Sequence, residues 1–289
     1  MAASDVAPSV PVSLCAGALA GALAKTTIAP LDRTKISFQV SQEPYSVRGA
    51  LSFIRATWRE QGGRALWRGN SATMLRVVPF AAVQFVAHEQ FKLLLTPSSG
   101  KLTAGGRFLA GSLAGCTATL FTYPLDLVRA RMAVTARDRY HHVYHVVLQT
   151  ARHGGLGALW KGIIPSLLGV IPYAGTSFFT YETLKQHYTT LYETPPPPLP
   201  RLAFGAFAGL LGQNVSYPLD IVRRRMQTEG LVSSVSYHTI HQTLRHVFST
   251  EGLRGLFKGV SMNWVKGPLA VTISFNTYDH TVRLLQSLP

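Results

Sequence analysis

Apolar runs alternate with polar stretches along this chain in a pattern that recurs three times. From Ser13 to Ile28 nearly every residue is apolar or small, and Lys25 carries the only charge. Similar runs lead up to Pro124 and Pro218. Each run ends in a short polar signal: Pro30-Leu31-Asp32-Arg33-Thr34-Lys35, Pro124-Leu125-Asp126-Leu127-Val128-Arg129 and Pro218-Leu219-Asp220-Ile221-Val222-Arg223. The three prolines stand 94 residues apart. So long a period marks a whole folding unit, not one turn of a short solenoid.

Each run is apolar for about 16 residues before its proline, short of the roughly 20 needed to cross hydrocarbon. The helix must therefore continue through the motif and carry its charges to membrane depth. Such charges are costly unless paired or wet, which points to function. A glycine pair lies in register in every run: Gly17 and Gly21, Gly111 and Gly115, Gly205 and Gly209. This GxxxG spacing predicts close helix packing. Amphipathic helices are expected next, over Val47 to Arg59, Tyr140 to Arg152 and Tyr237 to Phe248. They lead into Trp67-Arg68-Gly69, Trp160-Lys161-Gly162 and Phe257-Lys258-Gly259, an aromatic beside a cation as suits a headgroup layer. A second apolar segment follows in each unit: Met74 to Phe91, Ile163 to Tyr181 and Val260 to Tyr278. The expected fold is an all-α membrane protein with six transmembrane helices and three short amphipathic helices. The expected divisions are a flexible tail at 1–12 and repeats at 13–97, 104–193 and 199–287. Linkers lie at Thr96 to Lys101 and Thr194 to Pro200. Six spans put both termini on one side.

Composition agrees with a membrane setting. Hydrophobic residues make up 47% of the 289 and charged residues only 14%, well below the ~25% of soluble domains. The formal charge of +15 would suit nucleic acid or an anionic solute. Many of the bases sit singly inside or just after apolar runs, which argues against the first. No secretory signal or convincing presequence is read at the N-terminus. Cys15 and Cys116 read as small buried hydrophobes. His141, His142 and His145 form the one histidine cluster and read as a solvated face. No nucleophile-base constellation stands out. No enzyme, metal site or cofactor is expected.

The repeated acids and bases can form a ring: Asp32, Asp126 and Asp220 with Lys35, Arg129 and Arg223. Gln39 and Gln227, nine residues past their prolines, would hydrogen-bond beneath it; repeat 2 has Ala133 there. A second set, Glu89, Lys92, Glu182, Lys185 and Asp279, ends the other helices, with Val282 where a third base would stand. Selectivity belongs where the symmetry breaks. Seven residues past each motif glycine stand Arg76, Gly169 and Lys266; five before each proline stand Lys25, Thr119 and Gln213. Lys25, Arg76 and Lys266 are three unpaired cations that an anion would bridge. Gly169 and Val170, with Tyr173 a turn on, offer a flat slot for a purine.

Pro-x-Asp-x-x-base, an amphipathic stretch, then Gly-x-x-x-x-aromatic-basic-Gly, three times over residues 13 to 286, resembles the mitochondrial carrier family. The resemblance implies a pseudo-threefold bundle in the mitochondrial inner membrane, opening alternately to the two sides. It implies that the Asp32 ring pairs across repeats to shut the matrix side and that the Glu89 ring shuts the cytoplasmic side. Lys25, Arg76, Gly169, Val170 and Tyr173 match positions where adenine nucleotide carriers hold phosphate and adenine; Lys266 stands where arginine is frequent. Arg223-Arg224-Arg225-Met226 is similar to part of the ADP/ATP carrier signature. Residues 67–73, 169–175 and 261–267 look closer to the coenzyme A carriers. The implied function is exchange of coenzyme A, dephospho-coenzyme A or adenosine 3′,5′-diphosphate for ADP, ATP or AMP. An ATP-Mg/phosphate or ADP/ATP exchanger is the alternative, and a nucleic-acid binder or scaffold a remote one. Implied partners are these anions and membrane lipid, including cardiolipin; the expected state is a monomer. Two departures stand out. The acid usual before the second motif is Glu251 in repeat 3 but Gln61 and Gly154 elsewhere. The second base of the first motif, Arg131 and Arg225, is Ser37 in repeat 1.

Overall fold

The computed structural model describes residues 10–97, 102–136, 138–232 and 235–286. The expected tail at 1–9 and part of the first linker, 98–101, lie outside them. Nine helices run in order among the described residues. The long ones are α1 (Val10–Val40), α3 (Asn70–Leu95), α4 (Ala104–Val134), α6 (Ile163–Tyr192), α7 (Pro198–Gln227) and α9 (Val260–Gln286). The short ones are α2 (Val47–Gln61), α5 (Val143–Gly154) and α8 (Ile240–Leu256). Residues 10–12, expected in the tail, are already helical, and α7 begins on Pro198 inside the expected linker.

The long helices hold 26 to 31 residues, or about 39 to 46 Å at 1.5 Å per residue. Each carries one internal proline: Pro30, Pro79, Pro124, Pro172, Pro218 and Pro268. The helices pack most extensively between repeats, α3 on α4, α6 on α7 and α9 on α1. Within a repeat, α1 with α3, α4 with α6 and α7 with α9 touch less. These contacts close a circle of six.

The circle has an inverted surface. Asp32, Lys35, Gln39, Asp126, Arg225, Gln227 and Lys258 are buried. Leu19, Leu23, Phe85, Phe121, Phe179, Leu202 and Phe275 are exposed. Large apolar side chains outside and charges inside suit a non-aqueous surround. Two helical stretches are long and apolar enough to cross a membrane on composition alone, Gly105–Val134 and Leu156–Tyr192, with mean hydropathy 1.2 and 1.4.

Two sequence expectations change here. The GxxxG glycines do not mediate close packing: a Cβ added at Gly17, Gly21, Gly111, Gly115, Gly205 or Gly209 meets nothing within 4 Å. Their faces look into open space. Cys15 is exposed, not buried, and Cys116 is half-buried.

The second motif is explained by its backbone. Its first glycines, Gly62, Gly155 and Gly252, have φ of 81°, 72° and 66°; its last, Gly69, Gly162 and Gly259, have 86°, 87° and 80°. Side chains other than glycine are strained there. The last glycines also sit against the next repeat's motif. A Cβ on Gly69 would lie 2.9 Å from the Arg129 carbonyl oxygen, and one on Gly162 3.1 Å from that of Arg223. The motif thus turns the chain and brings neighbouring repeats together at one end of the circle.

Candidate functional site

The proline motifs converge at that end. Arg129 pairs with Asp32, and Arg223 lies 2.5 Å from Asp126. In both, the base comes from the repeat after the acid. Arg224 adds a contact of 3.3 Å to Asp126. The expected third pair is not formed: no ion pair within 4 Å joins Lys35 to Asp220. The Lys35 ammonium instead sits 4.9 Å from the centre of the Tyr217 ring, a cation–π position. The ring is therefore two closed links and one open.

Beneath it a threefold staple appears that sequence reasoning did not find. Arg131 Nε donates to the Gln227 carbonyl at 3.0 Å, and Arg225 Nε to the Gln39 carbonyl at 3.2 Å. Repeat 1 has Ser37 at this position, yet Arg33, one turn earlier, donates from Nε to the Ala133 carbonyl at 3.1 Å. All three carbonyls stand nine residues past a motif proline. The far ends of these guanidiniums take local partners: Gln61 at 3.1 Å, Thr150 at 2.9 Å and Glu251 at 2.5 Å. The two departures in repeat 1, Ser37 and Gln61, thus compensate each other through Arg33.

Gln39 and Gln227 reach tyrosines the sequence reading also missed. Gln39 donates to Tyr217 at 3.1 Å; Gln227 donates to Tyr123 at 3.0 Å and Asp126 at 2.8 Å. The tyrosine hydroxyls pass the chain on to the Lys258 and Lys161 carbonyls at 2.7 and 3.1 Å. A signal existed. Tyrosine directly precedes the proline in repeats 2 and 3 but is Ala29 in repeat 1, and Ala29 would face Ala133, where the glutamine is missing.

The aromatic-basic pairs are not headgroup anchors alone. Proline lacks the N–H that would bond the carbonyl four residues back. Trp67 donates from its indole to the Thr26 carbonyl at 2.8 Å, four residues before Pro30. Trp160 does the same to Leu120 at 2.9 Å, four before Pro124. Repeat 3 has Phe257, which carries no donor and stacks on Tyr217 instead. Trp160→Phe keeps the ring and removes the donor. It is expected to cost ~1–3 kcal/mol, the range for an orphaned acceptor that water does not reach, because the Leu120 carbonyl lies on a helix face turned to lipid. An unchanged thermal midpoint in detergent would show that the Leu120 carbonyl has another partner. The bases are committed between repeats: Arg68 Nε donates to Met132 O at 3.1 Å, and Lys258 to Ser41 O at 2.8 Å. Lys161 pairs with Glu229, just past the end of α7. Burial alone would raise the Glu229 carboxyl, but bonds from Lys161 and Ser236 hold it below its ordinary value.

The other end is open. Among the described residues Glu89 pairs only with Lys92 at 3.3 Å and Glu182 only with Lys185 at 3.4 Å, each within its own helix, and Asp279 has no ion pair. The expected second ring does not close across repeats in this conformation.

The three symmetry-breaking cations are not unpaired, contrary to expectation. Lys266 lies 2.8 Å from Asp32. Arg76 lies 3.5 Å from Asp126, donates to Thr122 at 3.1 Å and stacks on Phe80 at 4.8 Å. Lys25 is exposed and within electrostatic reach of Asp32, Arg129, Lys266 and Arg76. The three thus share one neighbourhood on the open side of the ring. Val170 and Tyr173 line a cleft of about 680 Å³ that begins at Phe80 and runs toward the open end. Gly169 lies just outside its lining, with the Leu219 side chain 3.7 Å from where its Cβ would be. His141 stacks on His145 at 6.2 Å, and His142 caps α5. No group of three candidate metal ligands occurs among the described residues.

Over residues 7–99, 100–192 and 194–288 the chain matches the family described as Mitochondrial carrier protein. It is 57% identical over 282 residues to the mitochondrial coenzyme A transporter SLC25A42 of Xenopus tropicalis, covering 96% of this chain and 86% of that protein. The human protein of that name is 55% identical over 282 residues, covering 96% of this chain and 88% of its own. The human mitochondrial adenyl nucleotide antiporter SLC25A24 is 38% identical over 275 residues, 94% of this chain and 58% of that protein. Three consecutive family matches, on a circle of helices with one end tied shut, lead to one conclusion: the chain belongs to the mitochondrial carrier family, as a multi-pass transporter of the mitochondrial inner membrane and not an enzyme.

Proposed function

We propose that the chain is a six-span, monomeric antiporter exchanging coenzyme A, or its adenosine 3′,5′-diphosphate and dephospho forms, for adenine nucleotides by alternating access. Its three units are 13–97, 104–193 and 199–287. Asp32, Lys35, Asp126, Arg129, Asp220 and Arg223 close the matrix side, braced by Gln39 and Gln227. Glu89, Lys92, Glu182, Lys185 and Asp279 close the cytoplasmic side in the opposite state. Anionic lipid such as cardiolipin lies around the matrix helices.

One observation carries this reading. Lys25, Arg76 and Lys266 cluster beside the gate, and two of them lean on gate carboxylates. A phosphate entering from the open end competes for Arg76 and Lys266. In taking them it removes a partner from Asp126 and from Asp32, and so loosens the gate it sits on. Substrate binding and gate opening then draw on the same cations. Tyr173, 43% exposed, is free to stack a purine above them. The coenzyme A transporters at 55–57% identity support the coenzyme A reading. The adenyl nucleotide antiporter at 38% keeps an ATP-type exchanger as the second.

Liposomes carrying the protein and loaded with ADP are expected to take up external coenzyme A, and unloaded ones are not. Arg76→Ala or Lys266→Ala removes a charge-assisted bond worth ~1.5–3 kcal/mol. Each is expected to slow exchange roughly tenfold to hundredfold. Uptake independent of internal ADP would exclude antiport, and full activity in both variants would remove the site.

A further inference from the structure

The cation cluster accounts for the phosphates of a coenzyme A, and Tyr173 for its adenine. Half of that molecule, the pantetheine arm, is an uncharged chain with two amides and a terminal thiol. The cations have nothing to offer it. Yet the cleft continues well past Tyr173. Along α4 it runs from Thr119 to Arg107, twelve residues or about 18 Å at the helical rise, longer than a nucleoside requires. Its volume of about 680 Å³ falls within the ~300–1,000 Å³ usual for small-molecule sites. None of Lys25, Arg76 and Lys266 lines it; its contact with the cluster runs through Phe80, on which Arg76 stacks.

The walls of the outer part are apolar with scattered hydroxyls, and the one cation, Arg107, stands at the mouth. Phe108 and Phe178 meet with ring centres 5.5 Å apart. Glycines of α4 and α7 leave space opposite them. Ser112 and Tyr181 face the same cleft, and among the described residues neither hydroxyl has a hydrogen-bond partner. Neutral donors on an apolar wall suit amides, which must exchange their water for hydrogen bonds when they leave it.

Building on the coenzyme A reading above, we propose that this outer cleft is a subsite for the pantetheine arm, with Ser112, Phe178 and Tyr181 as its selectivity residues. The diphosphate lies at the inner end by Arg76, the adenine against Val170 and Tyr173, and the arm runs toward the open mouth. The subsite separates coenzyme A from adenosine 3′,5′-diphosphate and ADP, each of which carries the adenosine and part of its phosphates but no arm.

The test compares thermal shifts of the purified full-length carrier with coenzyme A, adenosine 3′,5′-diphosphate and ADP, since a ligand of the folded state raises its apparent stability. Ser112→Leu puts a larger apolar side chain into the lining of the cleft, and Tyr181→Phe removes one hydroxyl and keeps the ring. In Ser112→Leu the ratio of coenzyme A Kd to adenosine 3′,5′-diphosphate Kd is expected to rise about tenfold. In Tyr181→Phe it is expected to rise about threefold. If both ligands weaken equally, or the ratio holds in both variants, the arm lies elsewhere and the subsite is overturned while the nucleotide site stands. If none of the three ligands shifts the unmodified protein, the coenzyme A reading itself falls, and the subsite with it.

Discussion

Asp126→Asn is expected to abolish exchange and to cost about 3–5 kcal/mol of folded-state stability, the range for removing one partner of a buried pair. Asp126 is 2% exposed and collects Arg223 at 2.5 Å, Arg224 at 3.3 Å, Arg76 at 3.5 Å and the Gln227 amide at 2.8 Å. Asparagine has nearly the same shape but no charge, so three guanidiniums would share one neutral oxygen. Asp220 supplies the contrast. It occupies the same motif position but has no ion pair among the described residues. Asp220 is half-buried, so Asp220→Asn is expected to cost about 1 kcal/mol, as for a weakly coupled charge, while still slowing exchange. Thermal unfolding of the two purified variants decides the matter. Equal destabilisation would mean that the ring is symmetric and the open third link does not persist in solution.

Gly21→Val is expected to reverse that pattern, leaving stability nearly untouched and stopping exchange. A Cβ at Gly21 meets nothing within 4 Å, so valine fits this conformation. In the alternating-access cycle proposed above the open end closes, and there the small-residue faces of α1, α4 and α7 would meet their neighbours, as GxxxG faces do in lipid. Overpacking a contact costs roughly 1–3 kcal/mol, which shifts a two-state equilibrium about 5- to 150-fold. Gly17→Val with Gly21→Val adds to the effect. Normal exchange by the double variant would show that α1 presents no closing face. Repeat 1 is chosen because these two glycines do not line the cleft, so the loss cannot come from a blocked substrate.

Much of the ion-pair ring was visible in the chain because it is periodic. The acids, bases and glutamines fall at fixed distances from a proline, and helical periodicity puts them on one face. Other parts were hidden by compensation. Ser37 and Gln61 read as local losses in repeat 1. Arg33 sits at a position held by Leu127 and Ile221 in the other repeats, and nothing along the chain says that it restores the bond. The glycine pairs misled for a different reason. Their spacing shows that two faces are able to approach closely, but only a given conformation decides whether they do.

The chain alone determined the threefold unit, the helix order, the turns and the residues at which symmetry fails. These follow from covalent spacing, steric limits on glycine and proline, and the apolar period, all of which act over a few turns of helix. Tertiary structure alone decided that Lys266 lies on Asp32, 234 positions away. It alone decided that Arg76 leans on Asp126, that Lys35 and Asp220 stand apart, and that one end is tied while the other is open. Ion pairs form by distance in space. Here that distance is set by how three similar units close into a circle.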